Sequence, residues 1–132
     1  MAGERGTANS VAATALVMMV AVTLLVDVAQ AEQYIVGGDG VTNGWDLHYD
    51  ANWVKDKNFK VGDKLVFLFD LRFHDVMEVS KSDYDNCQPN PRESWNSEPT
   101  IVNLNATGTR YFICSTSGHC NSGMKIAVTT GN

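Results

Sequence analysis

Apolar and polar residues alternate in short runs along most of the chain, the period-two pattern of strands with one face buried. "QYIVGG" (Gln33–Gly38) is the first such run, and its glycines end it. In "FKVGDKLVFLFD" the pair Gly62-Asp63 reads as a turn before a strand. Leu65, Phe67 and Phe69 then share one face, and Val66 and Leu68 the other. Apolar residues on both faces predict a central strand. "HDVMEVS" is the next extended run, with Val76 facing opposite to Met77 and Val79. "TIVNL" (Thr100–Leu104), "TRYFIC" (Thr109–Cys114) and "MKIAVTT" (Met124–Thr130) complete the set. "GWDLHYDANW" is polar and rich in aromatics and turn residues. "KSDYDNCQPNP", with prolines at 89 and 91, reads as loop with one helical turn. Many short strands separated by turn signals predict an all-β sandwich or barrel.

One segment breaks the pattern. From Val11 to Val26 the chain is apolar without alternation, then meets Asp27 and "AQA" at Ala29–Ala31. An apolar core followed by small residues at alternate positions predicts a secretory signal cut after Ala31. The run falls short of the ~20 residues a spanning helix needs. Its flank is atypical, because Glu4 cancels the positive charge of Arg5. The expected organisation is therefore a signal peptide over 1–31 and one domain over 32–132, near the commonest domain size.

Charge narrows the partners. Removing Glu4, Arg5 and Asp27 from ten basic and fifteen acidic residues leaves nine against thirteen in the domain. A scattered acidic excess excludes nucleic acid, whose phosphates demand clustered Lys and Arg. The chain ends in "TTGN", without the apolar tail of a lipid-anchor signal. A secreted, extracellular monomer with no membrane anchor after cleavage is expected.

Secretion changes what the three cysteines mean. In an oxidising compartment cysteines pair, so three give one bridge and one thiol with another job. "CSTSGHCNSGM" places Cys114, His119 and Met124 each five residues after the last, between two predicted strands. A thiolate, an imidazole and a thioether suit a soft or borderline metal, and a trigonal His₂Cys set with a long axial Met is a blue-copper electron-transfer site. The second histidine is His48 or His74. His48 lies in a polar segment and reads as exposed, whereas His74 follows the central strand and is favoured. Zinc could also use one Cys and two His, but the methionine and the Irving–Williams order favour copper. Taken singly, each residue has an ordinary reading: Cys114 and Met124 as core, His119 as exposed, His74 as a strand cap.

The residues "FKVGDKLVF", "FHDV", "YDNC", "YFICSTSGHC" and "GMKIAV" together resemble the phytocyanins, the plant branch of the cupredoxins, and within them the plantacyanin (basic blue protein) group. The resemblance spans Tyr34 to Val128. It implies a Greek-key cupredoxin sandwich, copper ligands at His74, Cys114, His119 and Met124, and a disulfide between Cys87 and Cys120. It implies a single-electron carrier of the cell wall or apoplast rather than an enzyme, exchanging electrons with a small redox molecule or redox protein. Some phytocyanin-like domains lack the ligands, so an extracellular signalling or adhesion module with an incidental metal is the alternative.

Two departures bear on the site. Asp75 follows His74 where the family usually has Asn. A carboxylate lacks amide donors, so a looser site or a lower potential is expected. Thr116-Ser117 replaces the usual aromatic-proline pair. Copper oxidases, with their paired His-x-His motifs, are excluded by three histidines none so spaced. Trp45, Trp53 and Trp95 read as packing, and Asn105-Ala106-Thr107 is a glycosylation sequon in a turn.

Overall fold

The structure is a computed structural model that describes residues 30–38 and 44–132. The predicted signal segment lies, but for Gln30 and Ala31, outside the described residues. Eight strands form among the described residues: β1 Gln33–Ile35, β2 Phe59–Lys60, β3 Lys64–Phe67, β4 Val76–Val79, β5 Glu93–Trp95, β6 Thr100–Asn103, β7 Gly108–Ile113 and β8 Lys125–Gly131. They make two sheets, ordered β1-β3-β6 and β2-β8-β7-β4-β5. The β1–β3 and β2–β8 pairs are parallel and the others antiparallel. As its apolar faces predict, β3 is central in its sheet. Leu65 and Phe67 are fully buried and Val66 only partly, so one of its faces carries the core.

Between the sheets lie Val36, Trp45, Leu65, Phe67, Val76, Phe112, Ile126 and Val128, all at most 1% exposed. Trp45 is wholly inside, edge-on to Phe67. Trp53 and Trp95 pack against this core from its margin, the packing role expected of all three. β4 is buried along its whole length, because its other face is covered as well. Met77, Val79 and Ile113 form a second cluster there, under Tyr84 of the six-residue helix α1 (Lys81–Asn86). The Ser80 hydroxyl accepts the Asp83 N–H and caps α1 at its start. Cys87 closes it in the left-handed region, at φ 50°.

Cys87 is bonded to Cys120, with Cα atoms 5.7 Å apart, and this bridge joins the end of α1 to the β7–β8 loop. A further tie crosses the core margin. Glu78, 9% exposed, receives two hydrogen bonds from the Arg110 guanidinium at 2.8 Å. Arg110 also donates to the Asn103 carbonyl at 3.0 Å, linking β7 to β6 in the other sheet.

The bridge closes a loop of 33 residues, worth about 3–4 kcal/mol on the chain-entropy estimate. Replacing Cys87 and Cys120 together by serine should lower stability by about that amount, read as the shift in denaturant midpoint at unchanged slope. A midpoint within the scatter of the wild type would show that the bridge contributes nothing.

Candidate metal centre

Two loops meet at one end of the sandwich. The first is the turn that follows the strand β3. Its Asp70 carbonyl accepts the N–H groups of Phe73 and His74 at 3.1 and 3.0 Å. The Asp70 carboxylate takes the Arg72 N–H and the Arg72 guanidinium, which holds that carboxyl at about 2, well below its usual range. This turn sets the exit direction of His74.

Cys114 directly follows β7 and is 1% exposed, with its side chain in the inter-sheet core. His119 sits on the loop that returns the chain to β8. The loop is stitched by its own backbone: the His119 N–H donates to the Thr116 carbonyl at 3.0 Å, and the Met124 N–H donates to the His119 carbonyl at 3.1 Å. Gly118 and Gly123 supply the turns at φ 80° and 103°, conformations that side chains disfavour. The Cys114 N–H then donates to the Met124 carbonyl at 3.1 Å, closing the loop on itself. Met124 is 1% exposed and belongs to the same core cluster as Cys114.

The donor atoms converge. His74 Nδ1 lies 3.2 Å from His119 Nδ1, and Cys114 Sγ lies 3.5 Å from His119 Nδ1 and 3.9 Å from His74 Nδ1. Bonds of about 2.0–2.3 Å from one ion to nitrogen and sulfur span such gaps. Both rings present Nδ1 to the centre, so both Nδ1 atoms can act as ligands with the protons on Nε2. Among the described residues this is the grouping of His, Cys, Asp and Glu whose ligand atoms lie close enough together to share an ion. His48 is elsewhere, its side chain 96% exposed beside Asp46. Burial pushes the His74 imidazole below its ordinary range, with the neighbouring His119 adding to the effect. Burial pushes the Cys114 thiol up, against hydrogen bonds from Asp75 and Thr116.

Asp75 does the opposite of loosening the site. Its carboxylate accepts the Ser115 backbone N–H at 2.7 Å and the Ser115 hydroxyl through its other oxygen. The residue after His74 is thereby clamped to the residue after Cys114. Asp75 needs no donors, because Ser115 supplies both. Two more bonds brace the junction: Trp45 Nε1 donates to the Asp75 carbonyl at 2.8 Å, and the Thr116 hydroxyl donates to the Phe73 carbonyl at 2.8 Å. The replacement Thr116-Ser117 thus contributes a hydroxyl that ties the ligand loops. Beside them a cleft of about 290 Å³ opens, lined by Ser115, Thr116, Ser117 and the Cys87–Cys120 bridge.

The disulfide reaches the site through sequence adjacency: Cys120 follows His119, so the bridge fixes the backbone of a candidate ligand. Two neutral imidazoles and one sulfur, held together beside a buried thioether residue, form a set for a soft or borderline ion; carboxylates, which suit harder ions, are absent from it. Copper fits this set, with Met124 on hand as the weak fourth donor.

Comparison with known proteins agrees with the geometry. The family described as "plastocyanin-like domain" matches residues 43–124. A basic blue protein of Arabidopsis thaliana is 39% identical over 133 aligned residues, covering 98% of each chain. Among solved structures, cucumber basic protein, a blue copper protein, superposes with a TM-score of 0.67 at 36% identity, over 75% of this chain and 99% of that one. Cucumber stellacyanin superposes with a TM-score of 0.68 at 30% identity, over 79% of this chain and all of the other. With the family's match over most of the chain and a full-length relative at this identity, the chain belongs to the plastocyanin-like domain family, as a phytocyanin with the cupredoxin fold.

Proposed function

We propose that this phytocyanin is a secreted type 1 copper protein, which holds one copper through His74, Cys114, His119 and Met124 and passes single electrons. The observation that carries the reading is the convergence of two Nδ1 atoms and a buried Sγ at 3.2–3.9 Å. Copper in such a site supplies a one-electron couple between Cu(I) and Cu(II).

The residues divide the work. Cys114 gives the thiolate, which must lose its proton on loading, against the burial that favours the thiol. His74 and His119 give nitrogen donors and are both only partly buried. The His119 ring edge is the proposed exit for electrons toward a small redox molecule or redox protein. Met124 supplies the weak axial donor that tunes the potential. The Asp75–Ser115 clamp and the Cys87–Cys120 bridge keep these donors still between oxidation states, so little rearrangement accompanies each transfer.

The proposed location rests on the reading of 1–31 as a signal and on a disulfide, which persists in oxidising compartments. The proposed site of action is the apoplast or cell wall, with the protein a monomer there. Among the described residues no helix is long and apolar enough to cross a membrane. Asn105 is exposed in the β6–β7 turn and is the proposed glycan acceptor.

Four measurements test this. Loading the purified protein with Cu(II) should give an intense visible thiolate band, and Cys114→Ser should abolish it; a wild type that stays colourless after loading contradicts the copper reading. Met124→Gln should keep the colour while lowering the midpoint potential on the order of 100 mV, since the axial ligand tunes it; an unchanged potential would remove Met124 from the ligand set. Asp75→Ala leaves the Ser115 N–H without its partner and should cost about 1–3 kcal/mol in the metal-free protein. The same change should weaken copper retention against a chelator. Unaltered retention would mean that the clamp does not support the site.

A further inference from the structure

Asp63 and Glu78 are the buried acidic side chains of the described residues, at 4% and 9% exposure. Glu78 has a cation, Arg110, at 2.8 Å. Asp63 has none: no Lys, Arg or His side chain among the described residues forms an ion pair with it. Its oxygens are taken instead by two backbone N–H groups, Lys60 N at 2.7 Å and Glu32 N at 2.9 Å. A carboxylate removed from water without a counter-charge is costly.

The second of those donors is the nitrogen that a cut after Ala31 would free. Hydrolysis adds water across the Ala31–Glu32 bond: the Ala31 carbonyl carbon leaves as a carboxylate on the signal, and the Glu32 nitrogen becomes an α-ammonium. We propose that removal of the signal after Ala31 completes the fold, because the new α-ammonium of Glu32 is the counter-ion of buried Asp63. The inference rests on the secretory reading and adds a structural role for the cleavage point.

The sheet holds that nitrogen in place. The Lys64 N–H donates to the Glu32 carbonyl at 2.9 Å, and the next residue, Gln33, is in register with Lys64 at the start of the parallel β1–β3 pair. Asp63 is equally fixed. Its N–H donates to the Lys60 carbonyl at 3.0 Å, and its own carbonyl accepts the Leu104 N–H at 2.8 Å. A terminus longer by even a residue or two would leave a neutral amide at the 2.9 Å contact and carry the ammonium away into solvent.

Other titratable residues stand at this corner: Glu32 itself, Tyr34 on β1 and Lys57 after the 3₁₀ turn Ala51–Asp56, which couple through Tyr34, and Lys60 on β2 and Lys64 on β3, whose backbones flank Asp63. An unfolded α-amine titrates at about 7.7–8.0. Pairing with Asp63 raises the folded value of that amine. Its contribution is therefore complete below about pH 8 and lost as pH climbs through the folded value.

The test uses the copper-loaded protein secreted from eukaryotic culture. N-terminal sequencing should read Glu32 first. Calorimetry at pH 7 and pH 9.5 should show a drop in Tm of about 5 °C for the wild type. A chain with Gly-Ser inserted between Ala31 and Glu32, and separately Asp63→Asn, should start lower at pH 7 and show little further drop. Should Asp63→Asn fail to fold, the inserted chain still decides, since it leaves every side chain intact. A first residue other than Glu32 overturns both the cleavage point and the ion pair. Glu32 first, but with the inserted chain matching the wild type at both pH values, overturns the ion pair alone. Thiolate colour in all these samples reports separately on the copper reading.

Discussion

Two imidazole nitrogens and a buried sulfur crowded to 3.2–3.9 Å are not a contact that a core makes for its own sake. At most one of the two facing Nδ1 atoms can hold a proton between them, and buried polar atoms need partners. Only a proton or an ion at the centre relieves the crowding. Everything around the pocket works to keep these atoms from separating. The turn locked by Asp70 aims His74, β7 delivers Cys114 to the inter-sheet core, and the loop closed on itself through Met124 returns His119 to the same point.

Rigidity here comes from links between distant segments. The Asp75–Ser115 clamp, the Thr116–Phe73 bond and the Trp45–Asp75 bond each join stretches at least thirty residues apart. The Cys87–Cys120 bridge adds a covalent link, and its far end caps a helix that covers the outer face of β4. Such cross-links resist relaxation when the charge at the centre changes by one. A carrier needs that property, because any rearrangement accompanying the electron slows its transfer.

Much of this was legible in the residue pattern. The runs around Leu65, Val76, Val102, Phe112 and Ile126 became strands because alternation reports a half-buried face directly. The ligand candidates were legible because a thiol left over once two of three cysteines pair asks for a use. The two-residue β2 and three-residue β5 were not, since such short strands carry no period and exist through pairing with β8 and β4. Parallel pairing of β1 with β3 was equally silent, as register depends on partners. Asp75 taught the sharpest lesson. Considered alone, its lack of donors suggested a looser site; its partner forty residues away supplies the donors, and only the fold brings the two together.

The account stands on the claim that the fold itself, before any ion arrives, sets the donor positions. The direct test is a pair of high-resolution crystal structures, metal-free and copper-loaded. The account predicts that His74 Nδ1, His119 Nδ1 and Cys114 Sγ keep the same separations within coordinate error, with one ion bonded to all three. Metal-free crystals with the His119 ring swung out of the pocket, or with Cys114 joined to another cysteine, would contradict it.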